Sequence, residues 1–282
     1  MARSTGALMS APANLDYLTS LARAAGGALL FAFPLLMTME MWWLGHSMER
    51  WRLLVFLGSA WPMLLGLSYY AGFEPTFRLL DEVLDALAAY AVGMVVALVS
   101  LSLLGQIGAG MTASEVIGKL AVCAIPASIG ALVAGKQFGG KDGDGGQRQK
   151  EHIGYPGRLF LTSVGAVFLA FSVAPTEEMA LIAYMMSPWH GLLLAAATML
   201  LLQVFVFGLG FPGQSGRRGD HSLLRTVLVS TLPGYAIALL ISLYCLWAFG
   251  RLQGTAPHEI AMMTVVLAFP AGLGAATARL VI

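Results

Sequence analysis

Two copies of one polar motif stand within apolar segments of the chain. Thr38 and Glu40 recur 138 positions later as Thr176 and Glu178. A carboxylate inside a membrane segment is costly, and it is usually paired or used in an ion or proton pathway. Hydroxyl and carboxylate oxygens suit hard cations, and two close carboxylates can share a proton. The motif therefore predicts a site for a small cation, namely Na⁺, K⁺, Ca²⁺ or H⁺.

The backbone around these acids is predicted to be broken. Pro34 precedes the first acid, and Pro175 lies three positions before Glu178. Proline frees a backbone carbonyl, which at membrane depth must be satisfied by protein or by a water-filled cavity. On a regular helix Thr38 and Glu40 would point about 200° apart, so they could share a ligand only if the segment is unwound.

The two copies are not identical. Glu177 in the second copy stands where the first copy has Met39, and Pro175 is also specific to the second. We therefore expect an asymmetric site, with Glu40 and Glu178 as primary acids and Glu177, Thr38 and Thr176 as supporting ligands. The second copy is expected to be its working half.

Two further acids, Glu115 and Glu259, precede the fourth and eighth apolar segments. They could contact ions at the same membrane face. An acid near a helix start also stabilises the helix N-terminus, so a capping role is an equal alternative.

The composition indicates what kind of protein positions these acids. With 58% hydrophobic and 11% charged residues, the chain departs from a soluble domain, which carries about 25% charged residues. The expected fold is an all-α polytopic membrane protein. Runs of spanning length, about 20 residues, predict eight transmembrane helices, at 21–45, 51–72, 83–105, 116–135, 158–186, 190–211, 223–250 and 259–281.

The motif belongs to a longer duplication. The same offset aligns Trp51 with Trp189, and an offset of 144 aligns the segments around Pro126 and Pro270. Because each unit has an even number of helices, both enter the membrane in the same direction, which predicts two parallel four-helix repeats about a pseudo-twofold axis normal to the membrane. The predicted organisation is a cytoplasmic N-terminal segment at 1–20, repeats at 21–138 and 157–282, and a flexible cytoplasmic linker at 139–156.

The basic residues predict the orientation. Twelve of the 16 Lys and Arg residues lie on the side shared by the termini, which the positive-inside rule assigns to the cytoplasm. The opposite, outer side has Arg50, Arg52, Lys119 and Arg251. Asp81, Glu82 and Asp85 open the third helix and are interpreted as a solvated cytoplasmic turn.

Two other classes of function remain as alternatives. A membrane enzyme could use paired carboxylates on a lipid-borne substrate, and a scaffold or accessory subunit would need no site. No Ser or Cys stands in a recognisable motif with His, so we expect no enzyme and no cofactor. Beyond the cation and the lipid bilayer, the sequence predicts no nucleic acid and leaves a homo-oligomer open.

The Pro175–Met179 run and the eight-helix layout resemble a bacterial family of integral membrane proteins without an assigned activity. The resemblance implies a bacterial inner (plasma) membrane and supplies no cofactor or site. Together these features predict a transport protein, either a channel or a carrier, for a small cation.

Overall fold

The computed structural model describes residues 11–71, 79–137, 154–208 and 227–281. Most of the predicted linker at 139–156 lies outside these residues. Within them the chain forms ten α-helices and one π-helical turn, Val227–Thr231, with no strand. The helices are α1 Ala11–Leu36, α2 Met39–Ser47, α3 Arg50–Ala71, α4 Leu79–Leu103, α5 Ala113–Gln137, α6 Tyr155–Val173, α7 Glu177–Met185, α8 Pro188–Gly208, α9 Leu232–Ala248 and α10 Pro257–Val281.

The predicted number of membrane spans is confirmed within the described ranges. Eight helical segments are long and apolar enough to cross a membrane. They are α1, α3, α4, α5, α6, α8, the π-helical turn continued by α9, and α10. The chain is therefore all-α and crosses the membrane several times.

The two segments that carry the acids differ from the single helices predicted at 21–45 and 158–186. Each is a long helix followed by a nine-residue helix: α1 then α2, and α6 then α7. At the breaks, Thr38 and Thr176 have extended backbones, with φ and ψ of −86° and 124° and of −69° and 144°. An extended residue cannot continue the helical hydrogen-bond ladder, so the unwinding predicted near the acids is confirmed.

Helix α5 forms the centre of the first group of helices. Every residue from 118 to 134 is buried, and α1, α2, α3 and α4 all pack against it. In contrast, only 17% of the Pro188–Phe205 span in α8 is buried. The helices of the second group pack in the same way around α10.

Glycines allow the central helices to approach their partners closely. A Cβ atom on Gly130 of α5 would lie 2.6 Å from the carbonyl oxygen of Gly27 in α1. Gly165 of α6 and Gly274 of α10 make an equally close backbone contact. Such small-residue contacts drive helix association in membranes, where lipid tails weaken the hydrophobic effect.

Aromatic side chains join the two groups. The rings of Phe56 in α3, Phe171 in α6 and Phe249 after α9 form a cluster with centroid distances of 5.1 to 5.8 Å. Phe31 of α1 packs edge-on against Phe168 of α6 at 4.9 Å. The groups therefore meet through α1, α3, α6 and α9.

Candidate functional site

The threonines of the motif cap the C-terminal ends of the helices that precede the breaks. The hydroxyl of Thr38 donates to the carbonyl oxygen of Leu35 at 2.7 Å, and that of Thr176 donates to Val173 at 2.8 Å. Each bond satisfies a carbonyl at the end of a broken helix. The hydroxyl protons are therefore already used, and the proposed role of both oxygens as cation ligands stays a prediction.

The acids of the motif occupy the first turns of the short helices. Glu40 is half-buried at the start of α2, whereas Glu177 and Glu178 are exposed at the start of α7. A carboxylate in the first turn interacts favourably with the helix dipole and stabilises the helix by about 0.3–1 kcal/mol. None of the three forms an ion pair or a side-chain hydrogen bond with another described residue, so their oxygens are available to a ligand.

A cavity of about 590 Å³ lies beside Glu177 and Glu178, the two acids of the second copy of the motif. Its lining includes Glu177, Glu178, Tyr184, Arg251 and Gln253, together with the apolar Met263 and Ala180. Glu40 is not part of this lining. The structure thus brings Glu177 and Glu178 together with a cation and an amide, while the first copy of the motif lies apart.

Arg251 is a site residue that the sequence did not identify. It follows Gly250, whose φ of 76° is left-handed, and its backbone N–H donates to Leu246 at 2.9 Å, which closes the end of α9. Its guanidinium donates to the carbonyl oxygen of Pro175 at the break before α7. The carbonyl at the break is thereby satisfied, and the arginine is held at the cavity wall.

Glu115 and Glu259 act as caps. Glu115 accepts a hydrogen bond from the Thr112 backbone N–H at 2.9 Å, while the Thr112 hydroxyl accepts one from the Glu115 N–H at 3.3 Å. Glu259 accepts one from the Ala256 N–H at 3.2 Å. Glu115 and Thr112 thus make both bonds of a capping box, and Glu259 makes the carboxylate bond of one. The capping alternative is thus supported for both acids, while ion contact stays a prediction.

Lys119 is a buried charge that the sequence had placed only on the outer side. It is 7% exposed near the start of α5. Its ammonium donates to the Gln106 carbonyl oxygen at 2.9 Å, lies 3.7 Å from the sulfur of Met111, and stands 5.1 Å from the centre of the Trp42 ring. The lysine therefore fastens the loop before α5 to α2.

The interpretation of Glu82 as a solvated residue is wrong. Glu82 in the first turn of α4 is 7% exposed and accepts a hydrogen bond from Ser68 of α3 at 2.9 Å. Packing of α3 against α4 covers it, which helix position alone could not reveal.

A second charged group links the two halves where α3 begins and α9 ends. Arg52 of α3 donates to the carbonyl oxygen of Trp247 at 3.1 Å and pairs with Glu49 at 3.1 Å. Glu49 also accepts bonds from the Trp51 indole and from Gln253. Hydrogen bonds from Trp51 and Gln253, followed by the charge of Arg52, lower the pKa of Glu49 below its ordinary value.

Among the described residues, no group of three or more His, Cys, Asp or Glu side chains is placed to hold a metal ion. The cavity instead combines two carboxylates, one guanidinium, one amide and one phenol. Such a mixed lining can bind a small polar molecule with a net positive charge.

Comparison with known proteins supports the resemblance seen in the sequence. A family model described as "Putative integral membrane protein (DUF2391)" matches residues 20–282. No curated protein and no solved structure matches the chain. Because the family model spans nearly the whole chain, the chain belongs to this family of multi-pass integral membrane proteins.

Proposed function

We propose that the protein is a membrane transport protein for a small cation and that the cation binds in the cavity beside α7. The observation that carries this proposal is the pair of unpartnered carboxylates, Glu177 and Glu178, in a cavity of about 590 Å³ at a break between helices. Two carboxylates against one arginine give the lining a net negative charge, which attracts a cation.

The broken helices support transport. Irregular backbone within a membrane protein is tolerated where protein buries it or where it lines a cavity. In many secondary transporters the substrate binds at such discontinuous helices. Here the break between α6 and α7 lies at the cavity, and Arg251 binds its freed carbonyl.

A carrier fits better than a channel. Buried hydroxyls on four helices bond to carbonyls one turn earlier in their own helix, and they are Ser128, Thr162, Thr198 and Thr264. The protons of these hydroxyls are therefore used inside their own helices. A carrier needs no continuous polar path, since it exposes its site to the two sides in turn.

The proposal includes two parallel repeats. The 138-residue offset relates the two threonine bonds at the breaks, to Leu35 and to Val173. It also relates Gly27 to Gly165, and the 144-residue offset relates their close partners, Gly130 and Gly274. Local contacts shared in this way support a duplicated unit.

The proposed location is a bacterial inner membrane with cytoplasmic termini. This orientation follows from the excess of Lys and Arg on the side of the termini. The cavity, which lies beside the loop between α9 and α10, then faces the outside.

The cavity lining favours transport over catalysis. The lining contains no Ser, Cys or His that could act as a nucleophile or as its base. We therefore propose that the two glutamates bind a cation and do not take part in a reaction.

Flux through liposomes tests the proposal. Purified protein is reconstituted, and the influx of Na⁺, K⁺, Ca²⁺, H⁺ and labelled propylammonium is measured along imposed gradients. We expect flux of at least one of them. In Glu177→Gln/Glu178→Gln that flux should fall by about tenfold or more, because both carboxylate charges that attract the cation are removed.

Glu151→Gln is the matched control, because it neutralises a glutamate of the predicted linker at 139–156, to which no ligand role is assigned. Its flux should stay within about twofold of wild type. The proposal fails if no cation crosses faster than in empty liposomes, or if the double variant transports as fast as wild type.

A further inference from the structure

The cavity has a filled counterpart in the first half of the chain. At the 138-residue offset, Ala180 of the cavity lining corresponds to Trp42 of α2. At the 144-residue offset, Met263 of the lining corresponds to Lys119 of α5. Small or neutral residues in the second half thus replace a large ring and a charged chain in the first.

The helix ends beside these positions have the same backbone conformation. In the first half Gly105 has a φ of 70°, and the N–H of Gln106 bonds to Leu101 at 2.8 Å. In the second half Gly250 has a φ of 76°, and Arg251 makes the equivalent bond, to Leu246. Gln106 and Arg251 therefore occupy corresponding places at the ends of α4 and α9.

In the first half, the space that corresponds to the cavity holds an ammonium group. The ammonium of Lys119 lies between the Gln106 carbonyl, at 2.9 Å, and the ring of Trp42, at 5.1 Å. In the second half the corresponding residues, Arg251 and Ala180, line an open cavity together with Glu177 and Glu178.

We infer that the cavity binds the primary ammonium group of a small organic molecule, in the place that Lys119 occupies in the first half. This inference rests on the proposed function and names the class of its substrate. Glu177 and Glu178 accept the N–H bonds, and Met263 and Leu181 contact the carbon chain.

Size and charge support an organic cation. A volume of about 590 Å³ lies within the range of small-molecule sites, about 300–1,000 Å³, and greatly exceeds a bare ion. Two carboxylates and the guanidinium of Arg251 leave one net negative charge, which matches a monocation. Arg251 can also receive the carboxylate of an amino acid, so a simple amine and a zwitterion are two sources of the same ammonium group.

Equilibrium binding to the full-length protein in detergent tests the inference. Isothermal titration uses propylammonium, L-alanine, and tetramethylammonium, which has no N–H donor. We expect saturable binding of propylammonium, L-alanine or both, and weaker binding of tetramethylammonium. Affinity should fall by about tenfold or more in Glu178→Gln.

Ala180→Trp installs the residue that fills the first half, and binding should be lost. Ala197→Trp makes the same change at an exposed position of α8 and should bind as wild type does. Circular dichroism and size-exclusion profiles check the fold, and Glu178→Gln tests the site independently if Ala180→Trp misfolds.

The inference is overturned if neither ammonium compound binds, or if affinity is unchanged in Ala180→Trp or in Glu178→Gln. Its failure is separable from failure of the transport proposal. Glutamate-dependent Na⁺ or K⁺ flux without ammonium binding would overturn only the ligand class. Ammonium binding without any flux would overturn only transport.

Discussion

At the scale of single residues, the same kind of side chain has different roles according to its partners. Glu115 and Glu259 bond to backbone N–H groups at helix starts. Glu177 and Glu178 also begin a helix, but they face a cavity and have no partner among the described residues. A free carboxylate beside a cavity can bind a ligand with both oxygens, whereas a capping carboxylate already holds a backbone N–H with one of them.

Lys119 shows what a buried charge contributes. Removing its ammonium in Lys119→Met leaves the partly buried Gln106 carbonyl without its donor, which costs about 1–3 kcal/mol when such a group stays shielded from water. We expect a clear decrease in the melting temperature of the protein in detergent. Intrinsic fluorescence during heating measures this temperature.

Arg50→Met is the control for this change, because Arg50 is exposed. An exposed substitution should change stability by no more than about 0.5 kcal/mol. Equal melting temperatures for Lys119→Met and wild type would show that the lysine contacts are not stabilising.

At the scale of the elements, the central helices depend on residues without side chains. Gly27 and Gly130 bring the backbones of α1 and α5 together, and a Cβ would meet backbone atoms there. Backbone atoms cannot move aside as a flexible side chain can. The positions of these glycines therefore determine how closely α5 packs in the centre of its group.

Gly130→Ala should lower stability although alanine is the better helix former. The added Cβ would lie 2.6 Å from the Gly27 carbonyl oxygen, and relief of such overpacking typically costs about 1–3 kcal/mol. Thermal unfolding of the purified variant measures the effect.

Gly58→Ala provides the opposite case within α3. A Cβ at Gly58 would have no neighbour within 4 Å, so only the helix propensity changes, by about 0.5–1 kcal/mol in favour of alanine. If Gly130→Ala and Gly58→Ala shift the melting temperature equally, the close packing of α1 on α5 does not contribute to the stability of the protein.

At the scale of the whole molecule, Arg52 joins the two halves where α3 begins and α9 ends. It bonds to the end of α9 at Trp247 and pairs with Glu49, which also contacts Gln253 beside the cavity. The proposed carrier would have to rearrange this contact if its halves move relative to one another.

The proposed orientation can be tested by labelling. Both native cysteines, Cys123 and Cys245, are buried and free, and Cys→Ala at each gives a background without thiols. Gln253→Cys, in the exposed α9–α10 loop, should then react with a membrane-impermeant maleimide added to spheroplasts.

Gln147→Cys is the control on the predicted cytoplasmic side and should react only after the membrane is permeabilised. The reverse labelling pattern would invert the proposed topology and would place the cavity at the cytoplasmic face.

The sequence by itself determined the class and the local breaks. Apolar runs of spanning length depend only on the order of residues, so the eight spans were predictable. Pro175 next to Thr176 likewise predicted the unwound segment before α7, because proline acts on its own backbone. Glu177 and Glu178 were identified in the same way, because charged residues in an apolar segment can be read directly from the sequence.

Only the tertiary structure decided which of these acids share a cavity and what stands beside them. Arg251 is far from Glu178 in the chain and reaches the break through the fold, and packing buries Lys119 and Glu82. Periodicity places a residue on a helix but does not say which helix lies opposite. Long-range packing decides burial and pairing, and it brings Arg251 and Gln253 to the cavity beside Glu177 and Glu178.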